Sequence, residues 1–204
     1  MKKFFLVMCA LSICPLFAVK VNKKGYWEGE DACQHHFFDN GLVIGLEEFF
    51  LKENAHSIVD FGCGMGDYVK HLSQKGFFCH GFDGNPKTAL LTKGFGQVQD
   101  LSVPFQLAQS YDWVLSLEVG EHLPQQYETI FIENLVRHCT QGIVLSWAVK
   151  GQGGHGHFNE QNNDYIRSRL ASYGFANDIE AENILRKQAR AGWFHNTIMV
   201  FRKK

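Results

Sequence analysis

The chain has 204 residues, of which 45% are hydrophobic, 14% aromatic and 20% charged. That is enough for one domain with a sizeable core and too little for two, and it excludes disordered, collagen-like and repeat architectures. The formal net charge is −1 and the basic residues are scattered, so nothing marks a protein living on a phosphate backbone, and nucleic acid is not an expected partner.

Lys2 and Lys3 precede an uncharged apolar run from Phe4 to Ala18. This is the charge and length profile of a secretory leader, and it is too short for a comfortable membrane span. Segment 1–18 is therefore read as a signal peptide or N-terminal apolar segment. A membrane enters only through this segment, if it stays uncleaved. Beyond it lie Cys33, Cys63, Cys79 and Cys139, with no Cys-x-x-Cys pair. A zinc ribbon, a redox dithiol and a disulfide scaffold are all unsupported.

Residues 19–38 show no clear period and read as an N-terminal arm or lid, with the main domain over 39–204. Asp39 or Asn40 caps a helix whose apolar face is Leu42, Val43, Leu46, Phe49 and Phe50. Ser57 to Phe61 is a short buried-type strand, followed by glycines and a helix to about Gly76. Phe77 to Phe82 is a second strand, Pro86 to Thr92 a helix, and 95–101 a short strand and turn. Tyr111 to Leu117 is a strongly apolar strand. Pro124 suits the first turn of a helix reaching about His138. Gly142 to Val149 is the next strand, and a Gly/His loop follows it. Asn159 suits the cap of a further helix, with Tyr165, Ile166, Leu170 and Tyr173 buried and Gly174 ending it. Strands over roughly 177–186 and 194–202 close the chain.

Strands apolar on both faces that alternate with helices imply a doubly wound α/β fold, a mostly parallel sheet with helices on both faces. The last two strands, read with no helix between them, form an antiparallel pair. Ligands bind such sheets at the carboxyl ends of the strands.

The stretch IVDFGCGMGDY, residues 58–68, runs from a strand into Gly62, Gly64 and Gly66. Without Cβ atoms the turn can be tight and a ligand can approach the backbone. The dinucleotide spacing Gly-x-Gly-x-x-Gly is not met, because its third glycine is missing. Asp60, two residues before the first glycine, suits a ligand with an ammonium group. Asp83, ending the second strand, suits the two hydroxyls of a ribose. Asp100, after the third, can accept a hydrogen bond from an adenine amino group. Singly these are ordinary turn or cap residues; on three successive strand ends they describe one site.

In this order the motifs resemble the class I S-adenosylmethionine-dependent methyltransferases over about residues 40–202. IVDFGCGMGDY looks like their first motif, GFDGN the second, VQDL the third and YDWVLSLEVGEHLP the fourth. The resemblance implies a seven-stranded sheet with the final strand antiparallel. It implies that Asp60, Gly62, Gly64 and Gly66 hold the methionine part, Asp83 the ribose, Asp100 with Leu101 the adenine, and that Glu118 and Val119 line the pocket. Tyr26 and Trp27 lie in the arm where such enzymes often close over the cofactor. The fourth motif lacks the Asn/Asp-Pro-Pro-aromatic of amino-group methylating enzymes, and Cys139 lacks the context of a cytosine C5 nucleophile.

Glu118, Glu121 and His122 form Glu-x-x-Glu-His. Glu121 and His122 can simply order the loop before Pro124. His122 can act as a general base, because an imidazole titrates near working pH. A third reading is a divalent ion, since small-RNA terminal 2′-O-methyltransferases look similar here and place a later His beside the group. His155 or His157 could supply that ligand. The metal reading is not the favoured one. The loop GQGGHGHFNEQNND follows the fifth strand on the cofactor edge, which suits an acceptor-side role. Trp147, Asn159, Asn162 and Asn163 are candidates for acceptor contacts, and Trp193-Phe194-His195 for a pocket wall.

The expectation is a methyltransferase using S-adenosylmethionine, releasing S-adenosylhomocysteine and acting on a small-molecule acceptor. Glu121, His122 and His157 are its candidate catalytic residues. The alternatives are a metal-dependent RNA 2′-O-methyltransferase-like enzyme and a non-catalytic S-adenosylmethionine-binding protein. The leader points to export, whereas the supply of the cofactor points to the cytoplasm. The oligomeric state leaves no signature in the sequence.

Overall fold

The computed structural model describes residues 19–30, 32 and 36–204. The leader-like segment 1–18 lies outside the described residues. Two short strands, β1 (Lys20–Val21) and β2 (Trp27–Glu28), pair antiparallel, so the arm folds back on itself as a ribbon. Gly25, at φ +102°, makes the reversal.

The main sheet holds β3 (Ser57–Phe61), β4 (Phe78–Asp83), β5 (Gly96–Val98), β6 (Tyr111–Ser116), β7 (Cys139–Ser146), β8 (Phe175–Asn177) and β9 (Ile198–Lys203). Its seven strands lie in the order β5-β4-β3-β6-β7-β9-β8. All neighbours are parallel except β9, which runs antiparallel to both β7 and β8. The expected doubly wound fold with an antiparallel last strand is present.

The pleat sorts the side chains onto two faces. Ile58, Trp113, Leu115, Val144 and Val200 face α1 (Asn40–Lys52), α2 (Asp67–Gln74) and α6 (Ile179–Gln188). Val59, Val114, Ile143, Leu145 and Met199 face α4 (Glu128–His138) and α5 (Asn163–Ser172). Two further short α-helices, α3 (Thr88–Leu91) and α7 (Phe194–Thr197), and the 3-10 turns Gly120–His122 and Gln125–Tyr127 complete the described elements. Among the described residues no helix is long and apolar enough to cross a membrane.

Four local expectations are corrected, the first being the closing strand read from 194: Phe194–Thr197 is helix α7, and the strand begins at Ile198. The stretch read as a strand over 177–186 is mostly helix α6, and only β8 before it is extended. Asp178 accepts from the Ala181 N–H at 3.0 Å, with Glu180 and Glu182 in the first turn and Arg186 and Lys187 in the last, which are helix signals. The antiparallel pair therefore does have a helix between its strands. Asn159 does not cap α5, which begins at Asn163; its side chain donates to Glu128 instead. Tyr165, expected to be buried, is exposed, and its hydroxyl also donates to Glu128.

The chain winds from β3 outward to β5, then crosses to β6 on the other side of β3. At such a switch point the loops after β3 and β6 diverge and open a crevice. The glycine turn follows β3 and Glu118 follows β6, so the two main sequence motifs face each other across it.

Candidate active site

The turn after β3 is pinned to the neighbouring strand. Gly62 and Cys63 donate N–H bonds to the Phe82 carbonyl at 2.7 and 3.1 Å. Gly62 sits at φ +87°, and a Cβ there would meet Val119 Cγ2 at 2.2 Å. Gly64, at φ +52°, has His36 against it, 2.6 Å from where a Cβ would stand. Gly66 faces Thr92 rather than the cleft and starts α2 from the left-handed region.

Three carboxylates mark the strand ends. Asp60 is 3% exposed, and burial followed by repulsion from Asp83 pushes its carboxyl up to about 8. Asp83 is held at both oxygens: Gly64 N–H donates to Oδ2 at 3.0 Å and Asn85 N–H to Oδ1 at 2.9 Å. Asp100 accepts from Ser102 N–H at 2.9 Å and Ser102 Oγ at 2.6 Å, and forms an ion pair with Lys24 of the arm. Burial pushes the Asp100 carboxyl up, but the Lys24 and Ser102 bonds outweigh it and hold it below its ordinary range.

Two cavities meet over these residues. The first, of about 110 Å³, is roofed by Lys24, Gly25, Tyr26 and Trp27 and floored by Asp83, Asp100 and Leu101. The second, of about 400 Å³, reaches from Asp60 and Gly64 out to the Gly/His loop and to Trp193 and Phe194. Gly62, Glu118 and His122 line both, so the cleft is continuous.

After β6 the chain turns sharply. Glu118 has φ +52°, a conformation that non-glycine residues rarely adopt and that clusters at functional sites. Its N–H donates to Ser146 Oγ at 2.8 Å, and Gln152 Nε2 donates to its Oε2 at 2.8 Å. Glu121 is fully buried, and neither carboxylate oxygen has a hydrogen-bond partner among the described residues. Burial, then repulsion from the Glu118 carboxylate, push its carboxyl well above the ordinary range, against a lowering by the Glu121 and Ala148 backbones.

Glu121, His122 and His157 present ligand atoms within 4.8 Å of one another, a geometry able to hold a metal ion. His122 Nδ1 lies 3.1 Å from the Gly156 carbonyl, so Nδ1 carries the proton and Nε2 is left with its lone pair. Burial and the neighbouring His157 lower the His122 pKa to about 4, so the ring is neutral at pH 7. His157 Nδ1 contacts Glu160 Oε1 at 2.9 Å. His155 points elsewhere, to the Val19 carbonyl at 2.7 Å.

The Gly/His loop is an ordered structure. Glu160 accepts from the N–H groups of Gly151 and Gly153, each at 2.7 Å, as well as from His157. Trp147 and Asn159, candidates for acceptor contacts, are buried instead: Trp147 Nε1 donates to the Asn159 carbonyl at 2.7 Å and its ring lies against Gly120. Trp193 and Phe194 do wall the second cavity. Sequence reasoning missed Lys24, His36 and Gln152. Lys24 and Asp100 are 76 residues apart, and no local pattern ties them.

This sheet order and strand-end site define a class I, S-adenosylmethionine-dependent methyltransferase fold. The chain belongs to the methyltransferase-domain family, whose model matches residues 35–146, more than half of it. It is similar to the probable tocopherol O-methyltransferase, chloroplastic, of Oryza sativa subsp. japonica, at 32% identity over 56% of this chain and 35% of that protein. It is likewise similar to the tocopherol O-methyltransferase, chloroplastic, of Arabidopsis thaliana, at 31% identity over 65% of this chain and 41% of that one. The chain thus spans well under half the length of these curated relatives. In fold it is similar to magnesium protoporphyrin IX methyltransferase of Synechocystis PCC 6803, solved with bound S-adenosylhomocysteine. The TM-score is 0.61, with 21% identity over 79% of this chain and 82% of that one.

Proposed function

We propose that the protein transfers the methyl group of S-adenosylmethionine to a small-molecule acceptor. The observation that carries this reading is the single cleft in which a cavity under the arm opens, at Glu118 and His122, into a larger one. In this reading Asp60 takes the ammonium group of the donor, Asp83 its ribose hydroxyls, and Asp100 with Leu101 its adenine. Gly62 and Gly64 let the donor lie close to the backbone. The arm over 19–38 serves as the lid, with Lys24 latched to Asp100. The tocopherol O-methyltransferases, at about a third identity, favour an oxygen acceptor.

An acceptor oxygen attacks the methyl carbon, and the carbon–sulfur bond breaks with its electrons passing to sulfur. The products are the methylated acceptor and S-adenosylhomocysteine. His122, lining both cavities with the Nε2 lone pair unprotonated, takes the acceptor proton. The main contribution of the protein is alignment of the two reactants.

A second reading is favoured by Glu121, a buried carboxylate with unpartnered oxygens beside His122 and His157. Burial holds the Glu121 carboxyl toward its neutral form, and a cation beside it would favour the ionised one. Glu121, His122 and His157 would then hold a divalent ion, which supplies Lewis acidity to an acceptor hydroxyl.

The test is transfer of radiolabelled methyl from S-adenosylmethionine to 2-naphthol, to hexylamine and to a short RNA. The expected result is label in naphthol, lost in His122→Ala. Label in the RNA alone contradicts the small-molecule reading, and no label in any acceptor favours a protein that only binds the cofactor. Loss of transfer in EDTA and in Glu121→Ala supports the divalent ion, whereas full activity in EDTA excludes it.

A further inference from the structure

We propose that the outer part of the larger cavity is a subsite for a planar aromatic acceptor without negative charge, stacked against Phe37 and Trp193. The inference rests on the methyl-transfer reading above and names the class of acceptor.

Phe37 and Trp193 are 55% and 39% exposed, a costly state for two large aromatic side chains lying side by side. Their rings meet edge to face with centroids 5.3 Å apart, and both line the cavity. They leave an aromatic surface open toward the cleft, on which a flat ring gains both desolvation and stacking.

This lip is fixed in place. Asp39 is fully buried, and one of its oxygens accepts from Gly41 and Leu42 at the start of α1, at 2.8 and 2.9 Å. The other accepts from Arg190 and Ala191 at 2.8 and 2.7 Å. One carboxylate thus ties the chain carrying Phe37 to the turn carrying Trp193. His195 Nε2 donates to the Ala189 carbonyl at 2.9 Å and closes that turn. A preorganised aromatic wall loses little entropy on binding.

Charge narrows the class. Among the described residues lining this cavity there is no Lys or Arg, whereas Asp60, Asp67 and Glu118 all line it. An anionic acceptor would meet Asp67 and Glu118 and find no Lys or Arg to pair with, Asp60 being neutral at pH 7 or taken by the donor ammonium. The remaining polar side chains, His36, Tyr68, His122, Gln152, His155 and His157, suit orientation of a neutral molecule. The cavity joins the donor side at Gly62, Glu118 and His122, so a ring seated on Trp193 can extend a hydroxyl toward the transferred methyl.

The experiment is equilibrium binding of three probes to the full chain saturated with S-adenosylhomocysteine: 2-naphthol, 6-hydroxynaphthalene-2-sulfonate and decahydro-2-naphthol. S-adenosylhomocysteine binding is measured first by calorimetry. Its absence overturns the methyl-transfer reading, and this inference with it. With that ligand bound, naphthol should bind about tenfold tighter than the sulfonate and about 3- to 10-fold tighter than the saturated alcohol. Trp193→Ala and Phe37→Ala should each weaken naphthol by about 3- to 10-fold, whereas Trp193→Phe should stay within about threefold of wild type. Undetectable naphthol binding, sulfonate binding as tight as naphthol, or naphthol affinity unchanged in both alanine variants overturns the inference while leaving the methyl-transfer reading standing.

Discussion

Gly64 donates its N–H to Asp83 Oδ2 at 3.0 Å, joining the glycine turn after β3 to the carboxylate that ends β4. The second oxygen of Asp83 is held by Asn85. The carboxylate is therefore aimed before any ligand arrives, and its remaining lone pairs point into a cleft built from both strand ends. Turn and acid act as one device: the bare backbone brings the donor close, and the carboxylate orients it.

Asp60 gives a pH signature. Unfolded, it ionises in the ordinary carboxylate range; in the fold its pKa is about 8. Between those values the native state keeps a proton that the unfolded chain has lost. Stability therefore falls as pH rises through that window, and the loss is complete above about 8. Asp60→Asn should be more stable than wild type at pH 8, by about 1–3 kcal/mol, and equal to it near pH 4. If the donor ammonium pairs with Asp60, binding at pH 7 releases up to about one proton. Calorimetry in two buffers of different ionisation enthalpy measures this, and identical heats in both would count against the pairing.

Gly62 has no room for a side chain. At φ +87°, with Val119 Cγ2 at 2.2 Å from its Cβ position, Gly62→Ala suffers both backbone strain and overlap. The expected cost is about 1–3 kcal/mol in a urea melt, with cofactor affinity lowered. Adding Val119→Ala removes the overlap but not the strain, so stability should recover only in part. Full recovery would mean that the backbone conformation carries no cost.

Glu160 organises the acceptor-side loop through Gly151, Gly153 and His157. The His157 bond, ahead of the opposing effect of burial, holds its carboxyl below the ordinary range. The contribution of Glu160 is present above the unfolded pKa and fades as pH falls through the lowered folded one. Glu160→Ala should speed amide hydrogen exchange at Gly151 and Gly153 by about tenfold or more while leaving β3 unchanged. Methyl transfer should slow with donor affinity intact. Unchanged exchange at the two glycines would show that the loop is held by other contacts.

Much of this was legible in the chain. The strands β3, β6 and β7 stand out because their central residues, Ile58 and Val59, Trp113 to Leu115 and Ile143 to Leu145, are apolar and buried on both faces. Asp60, Asp83 and Asp100 are legible because each stands at the carboxyl end of a strand: Asp60 next to last in β3, Asp83 last in β4 and Asp100 two residues beyond β5. The stretch after Asn177 misled because Ile179, Ala181, Ile184 and Leu185 read as an apolar run, although the Asp178 cap and the charge order already marked a helix. The pairing of Lys24 with Asp100 and of His36 with Gly64 arises from how the arm folds over the sheet, which no local spacing encodes. Asp39 was read as a helix cap, and it is one; its second role, holding the 190–191 turn, spans the length of the domain.

The most direct test is calorimetric titration of S-adenosylmethionine into the wild-type protein and into Asp83→Ala. Micromolar binding to wild type, weakened about tenfold or more in a variant that melts normally, is the predicted result. Equal affinity for the two proteins, or no heat from folded wild-type protein, would contradict a donor site built on Asp83 and the glycine turn.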